Sequence, residues 1–178
     1  MRTYKIKLRL EEVKDHETFL LAAQNVLENR KDVRFYIVGD GSLREELERR
    51  AYELGISQWV TFTGFVKDVE KIEAALDIAV ITSKAEALCL SIIESNMAGV
   101  PAIGTDSGGV REVIRHGETG FLVSVGDSDR LAERMEELLA DDKKRKAFGE
   151  HAKKYAEKMF MADQMTKRIE KLYLEEVK

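Results

Sequence analysis

Short runs of β-branched and aromatic residues alternate with longer stretches of helical hydrophobic period over the first two thirds of the chain, and few folds satisfy that alternation. Strands separated by helices run parallel, because each helix carries the chain back across a face of the sheet. Six runs read as strands: Tyr4–Leu8, Val33–Val38, Trp59–Phe62, Leu76–Ile81, Val100–Ile103 and Gly120–Val123. Between them, His16–Glu28 places Phe19, Leu20, Ala23, Val26 and Leu27 on one stripe, and Ser42–Leu54 does so with Leu43, Leu47, Ala51 and Leu54. Gly55 stands where a left-handed helix end is wanted, and Pro101 opens a strand, where its missing N–H costs least.

The class is therefore α/β, a doubly wound, Rossmann-like parallel sheet of six strands. After Val123 three helices follow with no strand between them, Asp127–Leu139, Lys143–Phe160 and Asp163–Val177. Asp127 and the Asp141–Asp142 pair supply N-caps. No repeat and no low-complexity linker interrupts the chain, so residues 1–178 read as one domain with helices 127–177 as a C-terminal appendage.

With 44% hydrophobic residues in 178, the chain is long and apolar enough for an ordinary core. Lys and Arg number 29 against 33 Asp and Glu, a net charge of -4, which excludes a broad basic field for nucleic acid or an anionic membrane. Any phosphate is held by local groups. The longest apolar stretches, Leu76–Ile81 and Phe19–Ala23, fall far short of the roughly 20 residues of a spanning helix. Cys89 is the lone cysteine and no leader pattern opens the chain, so a cytoplasmic location is expected. The histidines His16, His116 and His151 are scattered, so no metal site is expected.

In such sheets ligands bind beyond the carboxyl ends of the strands, which directs attention to the loops there. The first loop carries Arg9 and Lys14 ahead of a helix, where two cations oppose the helix dipole unless an anion lies between them; a solvated basic pair is the plainer reading. The second, Val38-Gly39-Asp40-Gly41-Ser42, is a glycine turn that has Arg44 where a dinucleotide fingerprint needs its third glycine, and no Walker loop occurs. The third holds Glu86 and, early in the following helix, Glu94. Ser91 with Glu94 fits a capping box; alternatively, amides around Leu88–Ser91 face an anion while the two carboxylates accept sugar hydroxyl protons. The fourth, Gly104–Glu112, has paired glycines, Gly108 and Gly109, that allow close backbone approach to a ligand.

Taken together, Glu86-x7-Glu94, Met97-Ala98-Gly99-Val100-Pro101, Gly108-Gly109-Val110-Arg111-Glu112 and His116-Gly117-Glu118-Thr119-Gly120 resemble the C-terminal, nucleotide-sugar-binding half of retaining GT-B glycosyltransferases, the group 1 or family 4 set. The resemblance implies a nucleoside-diphosphate-sugar donor and no further cofactor. It assigns Arg9 and Lys14 to the donor diphosphate, Glu86 to the sugar hydroxyls and Glu94 to the ribose diol. The amides of Leu88, Cys89 and Leu90 correspond to the phosphate site at the helix start. Gly64, Phe65 and Val66 line the nucleobase, and Gly39 and Gly41 form the turn beside the cleft. The chain departs from the family at Leu8, where glycine is usual, at Ala87-Leu88, where Gly-Phe is favoured, and at Cys89.

Met1 falls almost at the first strand of the donor half, so the expectation is a fragment that lacks the N-terminal acceptor-binding domain and binds donor without transferring sugar. Peripheral membrane contact would come through that missing domain. The rival readings are a nucleotide-sugar epimerase on the same fold and a non-catalytic nucleotide-sugar- or partner-binding module.

Overall fold

A computed structural model describes residues 2–7, 10–67 and 76–176. The elements alternate as expected: β1 (Arg2–Lys7), a 3-10 turn (Glu12–Lys14), α1 (His16–Asn29), β2 (Val33–Val38), α2 (Arg44–Glu53), β3 (Val60–Gly64), β4 (Ile78–Ile81), α3 (Leu90–Met97), β5 (Ala102–Thr105), α4 (Val110–Val113) and β6 (Gly120–Val123). Three helices close the chain, α5 (Ser128–Ala140), α6 (Asp142–Phe160) and α7 (Ala162–Glu176). The anticipated aspartates start the first two, since Asp127 accepts from the Arg130 amide and Asp141 from that of Lys144, each at 2.9 Å.

Three strands begin later than the hydrophobic runs do, β3 by a single residue and β4 and β5 by two. Val100 donates to the Ser95 carbonyl and Gly99, at φ 77°, to that of Asn96, so both residues finish α3 and β5 waits until Ala102. Pro101 still serves the sheet as an acceptor, from the Ala79 amide at 3.0 Å. Asp77 stands before β4 because it pairs with the buried Arg145 of α6 at 3.3 Å. Gly55, at φ 71°, ends α2 as expected, donating to the Tyr52 carbonyl while Ile56 donates to that of Ala51.

All six strands are parallel, in the order β3-β2-β1-β4-β5-β6. Strand order reverses between β1 and β4, which opens a crevice beyond their carboxyl ends. The period of two divides β4 between the faces: Ile78 and Val80 join the cluster containing Phe19, Phe35 and Leu131, and Ala79 and Ile81 the one containing Ile92 and Val113. Helix α5 packs on α1 and α6 on α3, so the appendage covers both faces. The second contact is backbone on backbone: a Cβ on Gly149 of α6 would lie 2.1 Å from the Gly99 carbonyl.

Past Met161 the chain enters α7, which rests on the end of α6 through Arg168, bonded to the carbonyls of Lys158 at 3.0 Å and Met159 at 3.2 Å. Its Met165, Ile169, Leu172 and Tyr173 are exposed. No helix among the described residues is long and apolar enough to cross a membrane.

Candidate functional site

At the crevice the loop after β1 meets the loop after β4. Lys14 and Glu86, 72 positions apart, form an ion pair with Nζ 2.7 Å from Oε1, both mostly buried. The loops are also joined through backbone, Lys84 donating to the Val13 carbonyl at 2.9 Å and the Thr82 hydroxyl to the Lys14 carbonyl at 3.0 Å. Ser83, fully buried, donates a second hydrogen bond to Glu86 Oε1 at 2.8 Å. Its own carbonyl accepts from the hydroxyls of Thr105 at 2.6 Å and Ser107 at 2.9 Å, from the end of β5 and the loop after it. The structure thus joins two of the three expected catalytic residues; the third, Arg9, lies outside the described residues, as does Leu8.

The capping-box reading of Ser91 and Glu94 is corrected. Helix α3 begins at Leu90 with Cys89 as its N-cap and no side-chain cap, so Ser91 already lies inside the helix, and Glu94 stands exposed in the next turn. The amides expected to face an anion, around Leu88–Ser91, are not all unpaired. Leu90 donates to the Leu88 carbonyl at 3.1 Å, while the amides of Leu88 and Cys89 carry no hydrogen bond to any described residue. Burial pushes the Cys89 thiol up to about 11, which keeps it protonated at neutral pH.

The second and third loops form the far wall. Gly39 donates to the Gly64 carbonyl at 3.1 Å, which brings the glycine turn against the segment expected at the base. There Phe65 is 85% exposed and Val66 half-buried. Gly41 is a glycine for a steric reason, since a Cβ there would lie 2.5 Å from the Leu10 carbonyl. Gly108 and Gly109 make room for the backbone of the neighbouring loop. A Cβ on either would lie within 2.1 Å of the carbonyls of Glu86 and Ala87, and Gly109 donates to Glu86 at 2.8 Å.

His16, first in α1, is buried with both ring nitrogens unpartnered among the described residues, and burial lowers its pKa to about 4. It lines a cavity of about 440 Å³ with Glu12, Glu46, Arg50 and Lys84, whose lining includes neither Glu86 nor Glu94. Among the described residues, no group of three or more His, Cys, Asp or Glu side chains is placed to hold a metal ion. Thr105 and Ser107 were not anticipated. The available signal was a pair of hydroxyl residues ending a strand, and it becomes legible only once β5 is known to neighbour β4.

Residues 6–155 match the family model described as Glycosyl transferases group 1. N-acetyl-alpha-D-glucosaminyl L-malate synthase of Bacillus anthracis is 32% identical over 80% of this chain and 37% of its own. Alr3699/HepE of Anabaena, solved in complex with UDP, superimposes with a TM-score of 0.90 at 25% identity over 97% of this chain and 48% of its own. The separately solved C-terminal domain of LpcC, a group 1 family glycosyl transferase from Francisella tularensis, superimposes with a TM-score of 0.82 at 25% identity, covering 90% of this chain and 87% of that one. The chain therefore spans less than half the length of the first two and nearly all of the third.

Proposed function

The chain belongs to the group 1 glycosyltransferases, and we propose that it is the donor-binding half of a retaining hexosyltransferase that takes its sugar from a nucleoside diphosphate. The observation that carries this reading is the meeting of Lys14 and Glu86 at the sheet's reversal point, beside the open amides of Leu88 and Cys89. Cation and amides together form a diphosphate seat, with carboxylates on either side for neutral hydroxyls. The UDP carried by the Anabaena neighbour supports a nucleoside diphosphate as ligand.

In this mechanism Glu94 accepts from the ribose diol and Glu86 from the sugar hydroxyls. As the glycosidic bond to phosphate lengthens, negative charge gathers on the departing diphosphate, where Lys14 and the helix-start amides supply positive charge and Arg9 is assigned the same role. Acceptor positioning and water exclusion come from a second domain, and a cytoplasmic protein, peripheral to the membrane through that domain, is the setting that follows. The exposed Met165, Ile169, Leu172 and Tyr173 of α7 supply an apolar face for it. Alone, the chain binds donor and transfers no sugar.

Calorimetry with UDP, UDP-glucose, GDP and GDP-mannose tests the division of labour. Glu94→Ala should weaken every ligand, and Glu86→Ala only those that carry sugar, each by about 1.5–3 kcal/mol for a hydrogen bond to a charged acceptor. Equal losses in the two variants would sink the assignment.

A further inference from the structure

We infer that Ser83 is the positioning residue for Glu86, and that it relays the placement of the sugar-binding carboxylate from the end of β5. This rests on the donor-site reading above and deepens it. Glu86 lies in a loop, four residues before α3, so its backbone alone does not determine where the carboxylate points. Two contacts do. Lys14 and Ser83 both bind Oε1, at 2.7 and 2.8 Å, and among the described residues Oε2 carries no hydrogen bond. One oxygen is held and the other is left to accept from a hydroxyl, which is the arrangement a carboxylate needs to read a sugar in a single orientation.

The two holding groups differ in how firmly they are themselves held. Lys14 sits on a flexible stem at the edge of the diphosphate seat, and a bound diphosphate draws on the same ammonium. Ser83 is fully buried, has a short side chain, and has its carbonyl gripped by the hydroxyls of Thr105 and Ser107. Thr105 is itself fully buried, and it ends a strand paired in parallel with β4. The Glu86 loop is fastened a second time through the amide of Gly109, in the segment that follows β5. When a diphosphate competes for Lys14, Ser83 is the contact that keeps Glu86 in register with the sugar.

Ser83→Ala removes the hydroxyl and leaves the loop backbone. Thr105→Val is nearly isosteric and removes one of the two donors to the Ser83 carbonyl, and it serves if the first variant folds poorly. Each is titrated, as the whole chain, with UDP, UDP-glucose, GDP and GDP-mannose beside the parent. The expected result is a three- to tenfold loss confined to the sugar-bearing ligands for Ser83→Ala, about the worth of one hydrogen bond. Thr105→Val should give a smaller loss of the same selectivity. A loss shared equally by UDP and UDP-glucose, or none in either variant, overturns the positioning role and leaves the donor reading standing. A parent that binds none of the four overturns both.

Discussion

Replacing Gly109 by alanine isolates what the glycine pair contributes. At φ -71° an alanine fits the backbone there, so every effect is steric. The added Cβ would stand 2.0 Å from the Ala87 carbonyl oxygen, against an ordinary contact near 3.4 Å, so the loop retreats by about 1.4 Å. That movement breaks the 2.8 Å bond from Gly109 to Glu86, worth about 1 kcal/mol, and overpacking adds about 1–3 kcal/mol. For a domain of this size each kcal/mol lowers Tm by roughly 2–4 °C, so the melting point should fall by about 10 °C. The amides of Leu88 and Cys89 move with the loop, and UDP affinity should drop at least roughly tenfold, the loss of one hydrogen bond to a charged group. Gly117→Ala is the control: at φ 80° with nothing within 4 Å, it suffers backbone strain of about 1–2 kcal/mol and leaves UDP binding alone. Differential scanning calorimetry and UDP titration of both variants decide it. Parent-like affinity in Gly109→Ala, or a melting point no lower than that of Gly117→Ala, would show that the close approach at Gly109 does not hold the loop in place.

Lys14→Ala should weaken UDP far more than uridine, with a difference that shrinks as salt rises from 0.05 to about 0.5 M; equal losses for both ligands would return Lys14 to the solvated reading. His16 has a folded pKa of about 4 against 6.5 for the free group, so its neutral form contributes stability that is complete above about pH 6.5 and lost as pH falls toward 4, about 3 kcal/mol in all. In urea titrations His16→Leu should therefore gain on the parent by about 3 kcal/mol as pH falls from 6.5 to about 4, and parallel curves would remove His16 from the account. Phe35→Ala empties a fully buried site edge-on to Phe19, ring centres 5.9 Å apart, and should cost about 3–5 kcal/mol in the same titration with no change in m. Deleting α7 should leave UDP affinity unchanged, and any fall beyond twofold would place part of the donor site on that helix.

Much of the fold was readable because parallel strands are buried on both faces and announce themselves as apolar runs. Val33–Val38 and Gly120–Val123 match to the residue, and the aspartate caps of α5 and α6 fall where the turns indicated. The misses come from residues that serve two elements at once. Val100 reads as the start of a strand by its branching, yet it ends α3, because a left-handed glycine before it needs a partner beyond. Ser91 and Glu94 have capping-box spacing, but the chain enters α3 two residues earlier, and local spacing carries no signal for that. The loops of the site could be picked out one by one. That Lys14 binds Glu86, or that Thr105 and Ser107 hold Ser83, depends on β1, β4 and β5 lying side by side, a fact of topology that no window of sequence contains.

The strapping of both sheet faces by consecutive helices bears on how the molecule melts. The sheet separates two apolar clusters, which could in principle let go at different temperatures. Yet α5 belongs to the first cluster, while α6 packs on α3 at the second and sends Phe148 into the first, and Arg145 of α6 donates to the Leu138 carbonyl of α5 while pairing with Asp77 ahead of β4. With Gly149 seated on Gly99, α6 cannot lift from α3 by degrees, because contact of backbone on backbone leaves no intermediate spacing in which side chains could fill the gap. Loss of either cluster therefore frees the helix that closes the other, and the body up to Phe160 should unfold as one cooperative unit, with a calorimetric enthalpy equal to the van't Hoff value.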